Sequence, residues 1–293
     1  MDRRTQQQLA RAAARAAARA DWRRPGSWIA LMVLAAALAA WWFWQQPGGP
    51  PRGAVPPPGQ GCLAQVVHGL PRVVDSPAAR GGTLRPVCRA GYALVHASAT
   101  RTALWVAERL EAAEVGGAEP RTNEFAPDPA LPESERASPA DYRRSGYDRG
   151  HLAPAADFST SAEQMRESFY LSNIVPQVGE HNRGVWARLE SHVRRLASTH
   201  GTVFVITGPV FDARPPRIGA GVAVPRALWK VVSDPARGRA VAWLIPNQAG
   251  IAEDDWDRYR VPVRQIEAEA GLDFNPELPA AQQDALETSR SAL

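Results

Sequence analysis

The sequence predicts an α+β domain, a mixed or antiparallel central sheet with flanking helices, preceded by one N-terminal transmembrane helix. Three observations lead there. β-Branched runs such as GTVFVITGPVF at Gly201–Phe211 mix irregularly with amphipathic stretches and lack the regular strand–helix–strand spacing of a parallel fold. Ser27–Trp44 is an uncharged run of eighteen residues, about the minimum that crosses a bilayer. At 293 residues with 45% hydrophobic and 22% charged composition, the chain can bury one sizeable core after its non-globular segments are set aside.

The elements follow in order along the chain. Residues 1–26 read as a basic cytoplasmic leader, in which seven arginines within residues 1–24 oppose only Asp2 and Asp21, a local charge of +5. Subtracting this from the net +4 leaves −1 for the remainder, so overall charge gives no support for a nucleic-acid partner. Residues 27–45 read as a membrane anchor ending in an aromatic cluster, with the arginines held inside and the rest of the chain exported. A cleavable signal peptide, with Ala37-Leu38-Ala39 as the processing site, is the rival reading. Residues 46–60 are a proline and glycine linker that cannot form a core.

The folded domain is expected to span residues 61–280, with 281–293 as a tail. Strands are expected at Ala64–His68 and Tyr92–Ala97, an amphipathic segment at Leu104–Leu110, and a long irregular loop over Glu119–Asp141. Helical spacing appears at Ser161–Ser168 and Val185–Leu196, and further strands at Gly201–Phe211, Leu228–Val232 and Ala240–Ile245. Val263–Ala270 reads as a helix stopped by Gly271. Cys62 and Cys88 are the only two cysteines, and in an oxidising compartment the simplest reading is a disulfide; without a neighbouring histidine they make a poor zinc site.

GYDRGHLAPAADF at Gly146–Phe158 raises the question of chemistry, since Asp148, Arg149 and His151 would equally suit a charged turn. Downstream, Asn182 precedes a stripe of Trp186, Leu189, Val193 and Leu196 at helical intervals, where it could cap the helix or face a site. Glu190 would lie roughly 80° around a regular helix from Asn182, and a solvated charge is its plain alternative. Arg149 could equally pair with Asp148 or Asp157. A histidine zinc hydrolase is disfavoured, because His181 and His192 lie eleven residues apart.

DRGH at 148–151, SNIVPQ at 172–177 and HNRGVWARLE at 181–190 together resemble the DNA/RNA non-specific endonuclease family. NEFAPDPALP at 123–132, WKVV at 229–232 and IEAEAGLDFNPEL at 266–278 extend the resemblance in the same order over about residues 61–280. The resemblance implies a ββα-metal site acting on DNA and RNA. By it, His151 is the general base, Asn182 the ligand of a magnesium or manganese ion, and Glu190 the carboxylate supporting water in the metal's shell. Arg149 is the phosphate-side arginine, Asn173 a supporting polar residue, and Arg121 a second phosphate-binding arginine. The chemistry is coherent: imidazole can take a water proton near neutral pH, and a neutral amide ligand leaves a hard cation's charge undiminished. Arginine and metal acting on phosphate read what all nucleic acids share, so little sequence preference is expected. The localisation expected is a single-pass bacterial inner-membrane protein with a periplasmic catalytic domain, or a secreted enzyme if the leader is cleaved. A homodimer stays open. The competing function is a catalytically inactive, membrane-tethered member that binds nucleic acid or protein.

Overall fold

The computed structural model describes residues 60–289; the expected leader, anchor and most of the linker lie outside the described residues. Among the described residues no helix is long and apolar enough to cross a membrane. Seven strands make one sheet: β1 (Leu84–Cys88), β2 (Ala93–Ala97), β3 (Thr102–Glu111), β6 (Thr202–Val210), β7 (Ala227–Asp234), β8 (Arg239–Pro246) and β9 (Arg260–Val261), in the order β9-β8-β7-β6-β3-β2-β1. Every neighbouring pair is antiparallel, so the sheet is antiparallel throughout. A separate ribbon pairs β4 (Asp148–His151) with β5 (Ile174–Gln177).

The helices follow from the sequence periodicity. α1 (Ala162–Ser168) starts at Ser161, whose hydroxyl accepts the N–H of Gln164. α2 (Ala187–His200) buries Leu189, Val193 and Ala197 against one sheet face. α3 (Val263–Ala270) buries Val263, Ile266 and Ala270 against the other, and ends at Gly271 in the left-handed region with φ 66°. A Cβ at Gly271 would meet the Asp75 carbonyl at 2.3 Å, so both the turn and the packing need glycine. α4 (Ala280–Thr288), expected to begin a tail, instead packs on α3 through Leu286. Its register places one apolar side chain inward, enough to dock a short helix on an existing core.

The expected strand at Ala64–His68 does not form; a helical turn at Gln60–Leu63 leads into irregular chain. The Cys62–Cys88 disulfide fixes that turn to the end of β1, and Gln65 Oε1 accepts the Arg109 N–H of β3 at 2.9 Å, a side-chain contact in place of a strand ladder. The Leu104–Leu110 segment lies within β3, and all its residues but Arg109 are buried, on both faces, because the sheet is covered on both sides. The Glu119–Asp141 loop is irregular as far as a helical turn at Pro139–Tyr142 and is held by the Arg85–Glu135 and Arg89–Asp128 ion pairs.

Candidate active site

Strands β4 and β5 pair with Asp148 opposite Gln177 and His151 opposite Ile174, and the chain then turns into α2, a strand–strand–helix unit. Gly150 has a local cause: a Cβ there would fall 2.2 Å from the Gln177 side chain. Between β5 and α2 the backbone makes a wide π-type turn over Asn182–Trp186, with Gly184 at φ −104° and ψ −107°. That turn corrects two expectations. Asn182 is not a helix N-cap, since its backbone is already helical and its N–H bonds to the Val178 carbonyl at 2.9 Å. Nor does regular helix geometry connect Asn182 to Glu190, because the break at Gly184 intervenes; such wide turns recur where a helix must present a functional side chain.

His151 ends β4 and is 7% exposed. Its ring stands edge-on to Phe169 with centroids 5.0 Å apart and lies 5.5 Å from Phe125. Burial, and secondarily the nearby Arg121 guanidinium, lower its pKa to about 3, so the imidazole is neutral at neutral pH and keeps a lone pair on one ring nitrogen. Its Nε2 is enclosed without a partner. Asn173 holds the backbone behind it: its Oδ1 accepts the Ala153 N–H at 2.9 Å, and its Nδ2 donates to the carbonyls of Ala153 at 2.8 Å and Ser168 at 2.9 Å. Asn173 is fully buried with both amide ends engaged, which ties the backbone just after His151 to the end of α1.

Asn182 donates its Nδ2 to Asp148 Oδ2 at 3.0 Å. A carboxylate only accepts, so this bond fixes the amide's orientation and leaves Oδ1 available to a hard cation. Asp148 also accepts from Arg183 at 3.4 Å. Asp148 and His151 are three residues apart on one strand, so the tethered amide is anchored to the same short strand that carries the imidazole.

Arg121, Arg149, Asn182, Arg143, Arg183 and Asp148 line one cleft of about 580 Å³. Arg149 is exposed and stacks on Phe125 at 4.2 Å. It pairs with neither Asp148 nor Asp157: these carboxylates are taken by Arg183 and Arg194. Arg121 lies over the Phe169 ring at 5.0 Å and donates to Asn123 Oδ1 at 2.8 Å. Its charge is felt by both His151 and Glu190, which puts it near each of them.

Glu190 sits in the first turns of α2, where burial raises its carboxyl to about 7. Lys230, Asp157, Arg194 and Arg121 are its charged neighbours, and Glu108 from β3 joins the same group. Lys230 is 1% exposed and donates to Thr207 Oγ1 at 2.6 Å and to the Leu152 carbonyl, next to His151, at 3.3 Å. Sequence reasoning did not single out Asp148, Lys230, Arg194 or the Phe125 and Phe169 rings as site residues. A lone lysine inside the β-branched run ALWKVV was the one local signal available.

The family model described as DNA/RNA non-specific endonuclease matches residues 76–281. Mitochondrial endonuclease G of Bos taurus is 35% identical over 237 residues, covering 72% of this chain and 79% of its own. A nuclease of Nostoc sp. is 36% identical over 195 residues, covering 62% of this chain and 70% of its own. The crystal structure of the EndoG/EndoGI complex superposes with a TM-score of 0.65 at 33% identity, covering 71% of this chain and 91% of that one. With the strand–strand–helix unit carrying His151, Asn182 and Glu190, these matches establish that the chain belongs to the DNA/RNA non-specific endonuclease family and is a nucleic-acid-hydrolysing enzyme.

Proposed function

We propose that the protein is a magnesium-dependent endonuclease that hydrolyses internal phosphodiester bonds of both DNA and RNA with little sequence preference. One observation carries this reading: a neutral, aromatic-flanked His151 lies beside a cleft where Arg121, Arg149 and an amide oriented by Asp148 converge. The donor set suits magnesium. Asn182 Oδ1 is a hard oxygen ligand, and Glu190 can hold a water of the ion's shell, as magnesium retains several waters. When bound, the ion supplies positive charge against the phosphoryl oxygens and the departing oxygen.

The chain's own residues do the rest. With Nε2 sealed, Nδ1 is the nitrogen left to take a proton from the attacking water. The new O–P bond forms as the bond to the leaving sugar oxygen breaks, and that oxygen takes up a proton. Arg149 and Arg121 offer fixed, always-charged donors to the phosphoryl oxygens. Phe125 and Phe169 hold the imidazole and exclude water from its faces. These contacts are common to all polynucleotides, which accounts for the broad substrate range.

His151→Ala is expected to lower plasmid nicking by about 10²–10⁴-fold while the melting temperature stays within a few degrees; nicking at the unsubstituted rate removes His151 from the role of base. EDTA is expected to stop the reaction, with magnesium or manganese restoring it. The Cys62–Cys88 disulfide favours an exported domain, and residues 27–45 supply the anchor in this reading. Activity recovered in the soluble fraction of lysed cells, with the leader removed, would select secretion instead.

A further inference from the structure

A second cavity opens on the other side of Arg121, the one residue that lines both it and the main cleft. Its volume is about 380 Å³, within the range of small-ligand clefts. The two spaces differ in chemistry. The main cleft gathers the guanidiniums of Arg121, Arg143, Arg149 and Arg183 against the single carboxylate of Asp148. The second has an alkyl floor of Val115, Ala155, Ala156 and Met165, and its Arg194 is already held by Asp157 at 2.8 Å. Glu119 also lines it, and a carboxylate there repels a phosphate while accepting readily from an amino group.

Ser159 supplies a further sign of an occupant. The residue lines this cavity, while its hydroxyl is turned into the wall and has no hydrogen-bond partner there; rotation about χ1 toward the cavity would let a ligand's polar atom satisfy it. The wall opposite is drawn close by the bond from Glu119 N–H to the Ser159 carbonyl at 2.8 Å. Only glycine fits at 117, where a Cβ would stand 2.1 Å from that carbonyl.

We propose that this cavity is a nucleobase subsite, taking one base of the substrate strand from the nucleotide adjoining the scissile phosphate. The inference rests on the nuclease reading and deepens it. The phosphate is held by the arginine-rich cleft, and the base turns across Arg121 onto the alkyl floor. Contact with Val115 and Ala156, the alkyl side chains of the lining that keep exposed surface, is indifferent to which base is present, and Ser159, once turned toward the cavity, can donate or accept, so the subsite grips without selecting.

The test uses single-stranded oligonucleotides in which only one phosphodiester is cleavable, with an abasic residue walked across it, and methyl p-nitrophenyl phosphate as a baseless diester. With magnesium present, an abasic residue at one position beside the cleavable bond is expected to lower kcat/KM by about tenfold, and abasic residues elsewhere to leave it near the intact value. Ala156→Phe, at an exposed position whose larger side chain fills the cavity, is expected to bring the intact oligonucleotide down to the abasic value. It is expected to add no further loss on the abasic strand and to leave the small diester unchanged. Equal cleavage of intact and abasic strands at every position overturns the subsite, as does wild-type cleavage of the intact strand by Ala156→Phe. Failure of the unsubstituted protein to hydrolyse either the oligonucleotides or the small diester sinks the nuclease reading itself.

Discussion

The central sheet has two faces made from the same strands, and they are not alike. On one, Trp105, Ala107, Trp229, Val231 and Ala242 meet α3 and α4 in an apolar layer. On the other, alternation brings Val106, Leu110, Val205, Leu228 and Val232 up under α2. That second layer is interrupted by Glu108, Thr207 and Lys230, which share its parity and sit on adjoining strands, with Lys230 directly opposite Thr207. Asp157, Glu190 and Arg194 come down onto the interruption. Burial pushes the Glu108 carboxyl well above its usual range, and no cation bonds it, whereas Arg194 bonds Asp157. With the proton on Glu108, the carboxyls of Asp157 and Glu190 face the buried cations Lys230 and Arg194, and the Arg121 charge is also felt at Glu190. The lesson is that one face serves stability alone, while the other gives up apolar packing to hold charges beneath the cleft.

Adjacent residues on β7 put the comparison to its strongest test. Lys230→Met removes one of the two buried cations and the anchor on the Leu152 carbonyl, and is expected to cost about 3–5 kcal/mol together with most of the turnover of the molecules that still fold. Trp229→Ala on the other face is expected to cost about 3–5 kcal/mol with turnover per folded molecule retained. Denaturant melts paired with active-site titration separate these outcomes, and equal losses of turnover would erase the distinction between faces. Removing the disulfide by Cys62→Ser with Cys88→Ser, outside both faces, is expected to cost about 3 kcal/mol, again with turnover retained. The check is a melt in the presence and absence of reductant.

Acid sharpens the contrast further. His151 and His181 have pKa values lowered, chiefly by burial, from 6.5 to about 3 and about 4. The unfolded chain binds these protons first, so stability is fully present above about 6.5 and is lost as pH falls toward 4 and 3. Both histidines belong to the strand–strand–helix unit. His181→Gln is therefore expected to flatten the fall in melting temperature between pH 6.5 and 4, while Trp229→Ala shifts the whole profile without changing its slope.

The legibility of this molecule in its sequence divides along the same line. β6, β7, β8 and α3 could be read because their burial is local in cause: β-branched runs alternate or saturate, and Gly271 stops a helix where a left-handed residue is needed. Ala64–His68 misled because it meets β3 through the Gln65 side chain rather than a backbone ladder, and the disulfide fixes the preceding turn. Asn182 and Glu190 could be located through the HNRGVWARLE motif, yet their relation could not, since the wide turn at Gly184 breaks the periodicity that would have linked them. Glu108 and Asp157 carried no local signal of convergence, and Lys230 only its place inside a β-branched run. They lie 49 to 122 residues apart in number, and only the sheet register and the descent of α2 bring their charges together.

The smallest expected effect lies at the rim of the cleft. Arg183 is 73% exposed in its side chain and is held only loosely by Asp148 at 3.4 Å, so its loss leaves both sheet faces and the melting temperature unchanged. It lines the same cleft as Arg149, and a polynucleotide crossing that cleft would exchange a condensed counterion for its guanidinium. Arg183→Gln is then expected to reduce the slope of log kcat/KM against log salt concentration by about 0.7 on single strands and about 0.9 on duplex DNA. Hydrolysis of a small uncharged-tail diester, which spans no second phosphate, is expected to keep its rate. An unchanged slope would place Arg183 off the path of the strand and confine phosphate binding to Arg121 and Arg149, leaving the exposed arginines as solvated surface.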